Sequence, residues 1–276
     1  MKKNTGIGGK ILLALAFLFL YLPIFVLIVF SFNASASRTV WAGFTFDWYK
    51  ELFTSTRILN SLYVTLGVAV LSSVIATVVG TFAAVGFFNM KKRWRNPLLT
   101  VNNIPVVNAD IITGVSMCML FVLAGSLTGL EMGFGTLLIA HISFNIPYVI
   151  LSIMPKLYQL DKNLFEAAQD LGCTWMRAFV KVIIPEIMPG IINGLLIAFT
   201  MSIDDFVISY FTAGSNVETL SMVIYAMTRR RIKPTINAIS TLLFTVVLVL
   251  LVAINVREAG QERRAEKQRA KLSAGK

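Results

Sequence analysis

Charge is scarce in this sequence, since Asp, Glu, Lys and Arg make up only 14% of its 276 residues, against about 25% in typical soluble domains. Histidine occurs once and cysteine twice, without a CxxC pair or a Cys/His cluster, which argues against a zinc site. Cys118 lies in an apolar run and Cys173 in a polar stretch, so the two are expected at different depths, which argues against a disulfide. Apolar residues are plentiful: 56% of the chain is hydrophobic, and the mean hydropathy is +0.74. A water-soluble domain of this size could not bury so much apolar surface, so the composition predicts an integral membrane protein.

The N-terminal apolar run allows two interpretations. Residues 11–30 carry no charge, and Ala34-Ser35-Ala36 further on has the pattern of a signal-peptide cleavage site. The run is longer than the usual apolar region of a signal peptide, and its length suits a hydrocarbon layer of ~30 Å. We therefore expect a retained first membrane span.

Runs with little or no charge occur six times, and each is long enough to cross a bilayer as a helix. Helices satisfy their own backbone in lipid, so the sequence predicts an all-α integral membrane protein with a single transmembrane domain over residues 1–276. Small residues are concentrated in the second run, which favours the interior of the bundle, although membrane helices also tolerate glycine generally. The predicted spans are about 11–30, 61–90, 97–124, 135–155, 187–213 and 235–256.

The distribution of Lys and Arg sets the predicted orientation. With a cytoplasmic N-terminus, 18 of the 25 Lys and Arg residues fall on the inner side, which favours both termini in the cytoplasm. Arg229, Arg230, Arg231 and Lys233 depart from this rule because they fall on the outer side. The net charge of +11 requires no nucleic-acid partner, since the basic tail from residue 257 suits a solvated helix near anionic lipid.

An aromatic segment between residues 41 and 53 follows the first span on the outer side. One interpretation is a belt of rings at the membrane interface. The other is that some rings, Trp48 above all, line the mouth of a path and attract cations through their π faces.

The longest inner connection, residues 156–186, contains the stretch EAAQDLGCTWMRAFVKVIIP. Good helix formers follow Glu166, Gly172 can end a helix in the left-handed conformation, Thr174 can cap a second helix, and Pro185 can stop it. The sequence therefore predicts two short helices that meet near Gly172. The residues alone leave open whether this element docks on another protein or is an ordinary amphipathic helix at the membrane surface.

The same stretch resembles the EAA signature of permeases of binding-protein-dependent ABC importers, through Glu166-Ala167-Ala168, Leu171-Gly172 and Ile184-Pro185. Along nearly its whole length, the chain resembles permeases of the spermidine/putrescine (polyamine) transport family, in particular the PotC-type subunits. The matching residues are Ser31-Phe32-Asn33, Trp41-Ala42-Gly43-Phe44, Trp48-Tyr49, Pro105, Asp110, His141, Phe144, Pro147, Ser202-Ile203-Asp204-Asp205, Pro234 and Asn237-Ala238.

This resemblance implies a type I importer permease fold with a cytoplasmic coupling helix, in a bacterial inner (plasma) membrane. The implied partners are a second homologous permease, two copies of an ATP-binding subunit, an extracytoplasmic solute-binding protein and a polyamine substrate. ATP and Mg would belong to the ATPase, with no cofactor on this chain, because the segment from Gly6 to Ile11 lacks the P-loop spacing. Cys173 replaces the alanine common in the family but stays small. Docking on the ATPase would fall to Glu166, Ala167, Ala168, Asp170, Leu171 and Gly172.

Three acids, Asp110, Asp204 and Asp205, lie inside predicted spans that contain no Lys or Arg. A central Asp costs roughly 2.5–3.5 kcal/mol on insertion scales, so these acids favour a watered interior that accepts cations. Counting along the helices places Asp110 near mid-membrane and the other two acids in the outer third. Adjacent helical positions diverge by about 100°, so one of Asp204 and Asp205 is expected to line a path while the other ties helices together.

Carboxylates along a path with aromatic rings at its mouth suit an extended polycation, whose amines need anions and whose methylenes need apolar walls. The sequence therefore predicts a polyamine path through Asp110, Asp204, Asp205 and Trp48. His141 is expected to be a hydrogen-bonded bundle residue rather than a ligand. The basic residues at 229–233 are expected to face an acidic surface of the binding protein.

Three alternatives remain at this stage. A self-powered cation channel or secondary transporter would explain the acids but leave the element from Glu166 to Pro185 without a role. An ABC permease for another small cationic amine would use the same features. A membrane enzyme would need a nucleophile and base or a metal-ligand spacing, and none is found in the sequence, so no enzymatic activity is expected on this chain.

Overall fold

The computed structural model describes residues 7–35, 40–161, 163–229, 234–249 and 252. Within these ranges the secondary structure is helical apart from an isolated antiparallel bridge between Asn33 and Phe44, which confirms the all-α prediction. The helices are α1 (Ile7–Phe30), α2 (Asp47–Thr54), α3 (Thr56–Asn89), α4 (Lys92–Val107), α5 (Asp110–Thr128), α6 (Phe134–Gln159), α7 (Asn163–Asp170), α8 (Trp175–Ala178), α9 (Ile184–Asp204), α10 (Val207–Thr212), α11 (Leu220–Arg229) and α12 (Thr235–Val249).

Five helical stretches of the described chain are long and apolar enough to cross a membrane. They are α1, α3, α5, α6 and the continuous stretch Met176–Asp204, which ends with α9. The helix α12 is apolar but shorter, and it covers the first part of the predicted span 235–256, whose last residues lie outside the described chain. The predicted spans 11–30, 61–90 and 135–155 coincide with the helices α1, α3 and α6.

The predicted span 97–124 is wrong in one respect, because two helices share it. The helix α4 ends at Val107, the next two residues are extended, and α5 begins at Asp110. Pro105 lacks the N–H that would continue the hydrogen bonding of α4, and an acid in the first turn of α5 interacts favourably with the helix dipole. Asp110 therefore begins a helix instead of lying in the middle of one.

The predicted span 187–213 is broken in the same way. The helix α9 ends at Asp204, Asp205 is extended with φ −60° and ψ 126°, and α10 begins at Val207. The carboxylate of Asp205 accepts hydrogen bonds from the backbone N–H groups of Ile208 at 3.2 Å and Ser209 at 2.7 Å. The break occurs here because an aspartate side chain can satisfy N–H groups that the start of a helix leaves without partners.

The chain divides into two compact units, of which the larger comprises residues 57–225. Its core lies where α6 packs between α3 and α9. A Cβ atom on Gly80 of α3 would lie 2.7 Å from Cγ1 of Val149 on α6, and one on Gly194 of α9 would lie 3.2 Å from the Cα of the same valine. Buried small residues of α3, including Ala76 and Ala84, complete this contact, so the predicted interior position of the second span is confirmed.

The smaller unit comprises residues 1–56 and 226–276, as far as they are described. After α1, a cluster of four rings forms from Phe32, Phe44, Phe46 and Tyr49, with centroids 4.9–6.3 Å apart. The hydroxyl groups of Ser31 and Tyr49 share a hydrogen bond of 2.8 Å. Packing of rings around a short helix thus gives the aromatic segment a defined structure.

Candidate functional site

The first candidate region is the element that follows α6. The helix α7 ends in a turn in which the N–H of Gly172 donates to the carbonyl of Gln169 at 2.8 Å and that of Cys173 to Ala168 at 3.1 Å. Gly172 has φ +82°, the left-handed conformation in which a residue with a side chain is strained. The predicted helix end at Gly172 is confirmed, and α8 begins directly after Thr174, as expected.

This element has one face toward the bundle and one face free. Ala168 is 8% exposed and Phe179 3%, while Leu171 is 86% exposed. Ala167 and Asp170 are also exposed. Glu166 belongs to α7, and its side chain lies outside the described part of the structure. The exposed face, which we call the α7 surface, consists of Ala167, Gln169, Asp170, Leu171 and Gly172.

The prediction that Pro185 stops the second helix is wrong. A π-helical segment, Phe179–Ile183, continues α8 into α9, so that Pro185 lies in the first turn of α9. A proline lacks the N–H that would continue the hydrogen bonding, and a π-helical turn beside it is one way in which a continuous membrane helix accommodates this. The wider π turn is closed by the N–H of Ile184, which donates to the carbonyl of Phe179. The α7 surface is thus joined through the turn at residues 171–174 to a continuous helix that can span the membrane.

The second candidate region is formed by the two helix breaks, which lie side by side. Gly114 of α5 faces the first turn of α10, since a Cβ atom on it would lie 3.4 Å from the carbonyl oxygen of Val207 and 3.5 Å from the Cα of Ile208. Asp110 is one turn from Gly114 on the same face of α5. Asp110 begins α5 and Asp204 ends α9 just before α10, so both acids lie at the two breaks that this contact brings side by side. Residues almost a hundred positions apart in sequence therefore meet at one place.

Tyr148 of α6 also belongs to this place, because it packs against the apolar cluster that contains Phe121 of α5 and Ile208 of α10. Sequence reasoning missed Tyr148. Its signal was the spacing of His141, Asn145 and Tyr148 at i, i+4 and i+7, which puts three polar groups on one face of an otherwise apolar helix. We call Asp110, Asp204 and Tyr148 the break cluster.

The two adjacent acids differ in their surroundings. Asp204 is exposed, whereas the side chain of Asp205 is 8% exposed and accepts two backbone N–H groups of α10. The carboxylate oxygen Oδ2 of Asp205 lies 3.5 Å from Nε2 of His141. The tie between helices that the sequence predicted for one of the two acids is therefore made by Asp205.

Buried hydrogen bonds continue from this tie through the bundle. His141, fully buried, contacts the hydroxyl of Ser209 at 3.1 Å, which agrees with the predicted role as a bundle residue. Asn145 donates to the hydroxyl of Ser202 at 2.7 Å, and Ser202 lies 3.1 Å from the hydroxyl of Ser72 on α3. Among the ion pairs of the described residues, none joins a Lys or Arg to Asp110, Asp204 or Asp205.

Trp48 belongs to the smaller unit. Its indole N–H donates to the carbonyl of Asn33 at 2.8 Å, and its side chain is half-buried. Asn33 also accepts from the N–H of Ala42 and donates to the carbonyl of Val40. Trp48 therefore anchors the segment between α1 and α2, and this contact leaves part of the ring exposed.

An ion pair fixes the segment between α10 and α11. Arg57, at the start of α3, binds both carboxylate oxygens of Glu218 at 2.7 Å, and its hydrogen bonds hold the pKa of that carboxyl below the ordinary value. The N–H of Leu220 donates to the hydroxyl of Thr65 at 2.8 Å. The basic residues predicted to contact a binding protein begin with Arg229 at the end of α11, and residues 230–233 lie outside the described chain.

Comparisons with known proteins agree with this arrangement. Residues 76–264 match the family model described as binding-protein-dependent transport system inner membrane component. The putrescine transport system permease protein PotI of Escherichia coli is 37% identical over 74% of this chain and 74% of its own length. The spermidine/putrescine transport system permease protein PotC of Haemophilus influenzae is 31% identical over 77% of this chain and 81% of its own length.

Solved structures show the same fold. A chain of a bacterial ABC transporter involved in the import of the acidic polysaccharide alginate superposes with a TM-score of 0.68 at 18% identity, over 90% of this chain and 93% of that chain. A chain of the MetNI methionine ABC transporter gives a TM-score of 0.58 at 20% identity, over 73% of this chain and 95% of that chain. At these identities the likeness shows the fold of an ABC importer permease and leaves the substrate open.

Proposed function

Because this chain belongs to the family of inner membrane components of binding-protein-dependent transport systems, we propose that it forms part of the polyamine path of an ABC importer. The observation that carries the proposal is the break cluster, in which Asp110 and Asp204 lie at two adjacent helix breaks without a Lys or Arg partner in the described chain. The names of the relatives, which are putrescine and spermidine/putrescine permeases, support the same substrate class.

The chemistry of the break cluster suits a diamine or triamine. An ammonium group about 4 Å from a carboxylate gains roughly 4 kcal/mol at an effective dielectric constant of 20, and it also relieves the repulsion between the two acids. The ring of Tyr148 supplies an apolar face for the methylene groups and, through its π system, a further attraction for a cation. Of the two neighbouring acids, we assign Asp204 to the path, because the carboxylate of Asp205 is already occupied by α10.

The α7 surface supports the proposal that an ATPase drives the transport. An exposed Leu171 next to small and polar residues fits a cleft of a partner protein. The continuous helix Met176–Asp204 connects this region to the membrane-spanning part of the bundle, so a movement of the ATPase can be passed on to it. On this proposal the complete importer contains a second permease, two ATPase subunits that bind ATP and Mg, and an extracytoplasmic binding protein. Both termini lie in the cytoplasm, so that the α7 surface faces the ATPase.

The test is uptake by the complete complex in vesicles. ATP-containing vesicles supplied with loaded binding protein should accumulate labelled putrescine or spermidine, and they should not accumulate a monovalent amine such as choline. Asp110→Asn and Asp204→Asn should each lower uptake at least about tenfold, because each removes one charge from the break cluster. The matched control is Glu131→Gln, an exposed acid between α5 and α6, which should leave uptake unchanged.

Two results would contradict the proposal. Hydrolysis of ATP on addition of loaded binding protein, without accumulation of either polyamine, would exclude polyamine import. Uptake by Asp110→Asn and Asp204→Asn equal to that of Glu131→Gln would remove the break cluster from the path even if polyamines were transported.

A further inference from the structure

His141 lies against the break between α9 and α10 but does not belong to the break cluster. Its ring is fully buried, and Nε2 is 3.1 Å from Oγ of Ser209 and 3.5 Å from Oδ2 of Asp205. A carboxylate only accepts hydrogen bonds, so we assign the proton of the neutral imidazole to Nε2. Its other nitrogen, Nδ1, has no hydrogen-bond partner in the described chain. All the polar contacts found for His141 are therefore directed at the break.

Asp205 makes its contacts entirely within the protein. Its carboxylate accepts from the N–H groups of Ile208 and Ser209, and its carbonyl accepts from the hydroxyl of Ser221 at 2.6 Å. The imidazole of His141 lies against this carboxylate, 3.5 Å from Oδ2, and its hydrogen bond to Ser209 holds the residue whose N–H the carboxylate accepts. A buried carboxylate that loses a polar neighbour is destabilised, and it would then turn toward another donor or toward water.

The helix α6 holds the break from both sides. On one side His141 contacts Asp205 and Ser209, and on the other side Asn145, one turn further along α6, donates to Ser202 at 2.7 Å. Asp204 lies between these two fixed points and is itself exposed. One peptide bond joins Asp204 to Asp205, so a rotation of Asp205 changes the position of Asp204.

We propose that His141 is a positioning residue: by holding Asp205 in the break, it keeps Asp204 on the exposed side where a cationic substrate can reach it. The identity of the substrate rests on the proposed function, whereas the position of Asp204 does not. His141 thus acts on transport through its two neighbours, without contact with the substrate.

The first experiment measures the position of residue 204 without any substrate. In the assembled complex, with Cys118→Ser and Cys173→Ser as background, Asp204→Cys is reacted with a charged methanethiosulfonate reagent. His141→Leu should slow this reaction at least about tenfold, because Asp205 then keeps only its two backbone donors and the break can rearrange. His141→Gln, which retains an amide N–H donor, should restore most of the rate.

The matched control is Thr136→Val. Thr136 is as deeply buried in α6 as His141 and also ties α6 to α10, since its hydroxyl donates to the carbonyl of Thr212 at 2.8 Å. It lies more than one turn from His141 and does not contact Asp205. Thr136→Val should lower the thermal stability of the complex and leave the reaction rate at residue 204 unchanged.

The second experiment measures polyamine uptake with the native Asp204. His141→Leu should raise the KM for uptake about tenfold with a smaller change in maximal rate, and His141→Gln should bring the KM back toward the wild-type value. An effect of His141→Leu that Thr136→Val reproduces in both experiments would overturn the proposal, because His141 would then only stabilise the bundle. If wild-type complex transports no polyamine, the proposed function fails, and the thiol reaction still decides the role of His141.

Discussion

The α7 surface and the break cluster are built in opposite ways. The α7 surface comes from ten consecutive residues, 163–172, whose turn is fixed by one glycine with φ +82°. The break cluster comes from three helices, and its residues Asp110, Tyr148 and Asp204 come to one place only after those helices have packed. A short stretch of sequence therefore determines the first region, and the whole larger unit determines the second.

The two functions proposed for these regions should therefore be sensitive to different kinds of substitution. The α7 surface is exposed, so changes of side-chain chemistry should affect docking with little effect on the fold. The break cluster depends on glycines that allow close helix contacts, such as Gly80 and Gly114, so changes far from the acids should disturb it. Each region should accordingly be sensitive to substitutions that the other tolerates.

Leu171→Asp should have the largest effect. Leu171 is 86% exposed, so its apolar surface contributes to binding only when a partner covers it. An aspartate at this position would place a charge in an apolar cleft of that partner, which is unfavourable. We expect the affinity of the membrane complex for the ATPase to fall about a hundredfold, as for a residue at the centre of an interface. Copurification and a binding titration in detergent measure this loss.

Gln169→Ala is the control for this substitution, since Gln169 is also exposed on α7. It should leave the affinity within about threefold, because peripheral contacts contribute little. Equal affinity for Leu171→Asp and wild type would show that the α7 surface does not carry the docking.

Gly172→Val should have the next largest effect, and it tests whether the turn depends on backbone conformation alone. No atom lies within 4 Å of a Cβ placed on Gly172, so a side chain meets no steric obstacle, and the cost comes only from φ +82°. A left-handed residue costs roughly 1–2 kcal/mol, so we expect about a tenfold loss of ATPase activity stimulated by loaded binding protein.

Gly172→Asn should lose less activity than Gly172→Val, since asparagine tolerates the left-handed conformation better. Gly67→Ala is the matched control, because Gly67 also has open space around its Cβ but lies within α3 at ordinary helical φ. A loss of activity that is the same for Asn and Val would point to a contact of Gly172 with the partner, and would argue against a conformational role.

These two regions also show how much the sequence could predict. The helix end at Gly172 follows from local rules, so the residues around it predict the turn correctly. The breaks before Asp110 and at Asp205 were missed, because a run of apolar residues with one proline or two acids fits a continuous span equally well. At Asp205, the choice between a continuous and a broken helix depends on the hydrogen bonds that its carboxylate accepts from Ile208 and Ser209. It also depends on the contact with His141, which is distant in sequence.

Tyr148 was missed for a related reason. The spacing of His141, Asn145 and Tyr148 shows that the three side chains share a face of α6, but it does not show which helix they face. That depends on the packing of α5 against α10, which the close approach at Gly114 makes possible. The acids themselves could be identified from the sequence, because a charge inside an apolar span costs free energy and therefore marks a candidate functional site.

Gly80→Ala should have a smaller effect, and it tests how far the break cluster depends on packing. The added methyl group would lie 2.7 Å from Cγ1 and 2.9 Å from Cβ of Val149, so one of the two helices must shift. Overpacking of this kind costs typically about 1–3 kcal/mol, and we expect lower thermal stability and a raised KM for uptake, with unchanged affinity for the ATPase.

Val149→Ala should rescue Gly80→Ala, because it removes the atom that the new methyl group meets. The double variant is therefore expected to be more stable than Gly80→Ala alone, as a thermal unfolding assay of the purified complex can show. Additive destabilisation in the double variant would mean that the contact between these two residues does not limit the packing of α3 and α6.

The smallest effect is expected for Glu218→Gln, which removes the ion pair with Arg57. The hydrogen bonds and the charge of Arg57 lower the pKa of Glu218 in the folded protein, so the stabilisation is present above the ordinary carboxyl pKa and is lost as the pH falls through the lowered value. The Glu218 side chain is 42% exposed, so water and salt screen the pair and its contribution should stay below about 1 kcal/mol. The difference in Tm between wild type and Glu218→Gln should be small at pH 7, shrink in high salt and vanish in acid. A difference that persists unchanged in acid would mean that the charge of Glu218 does not account for the effect of the substitution.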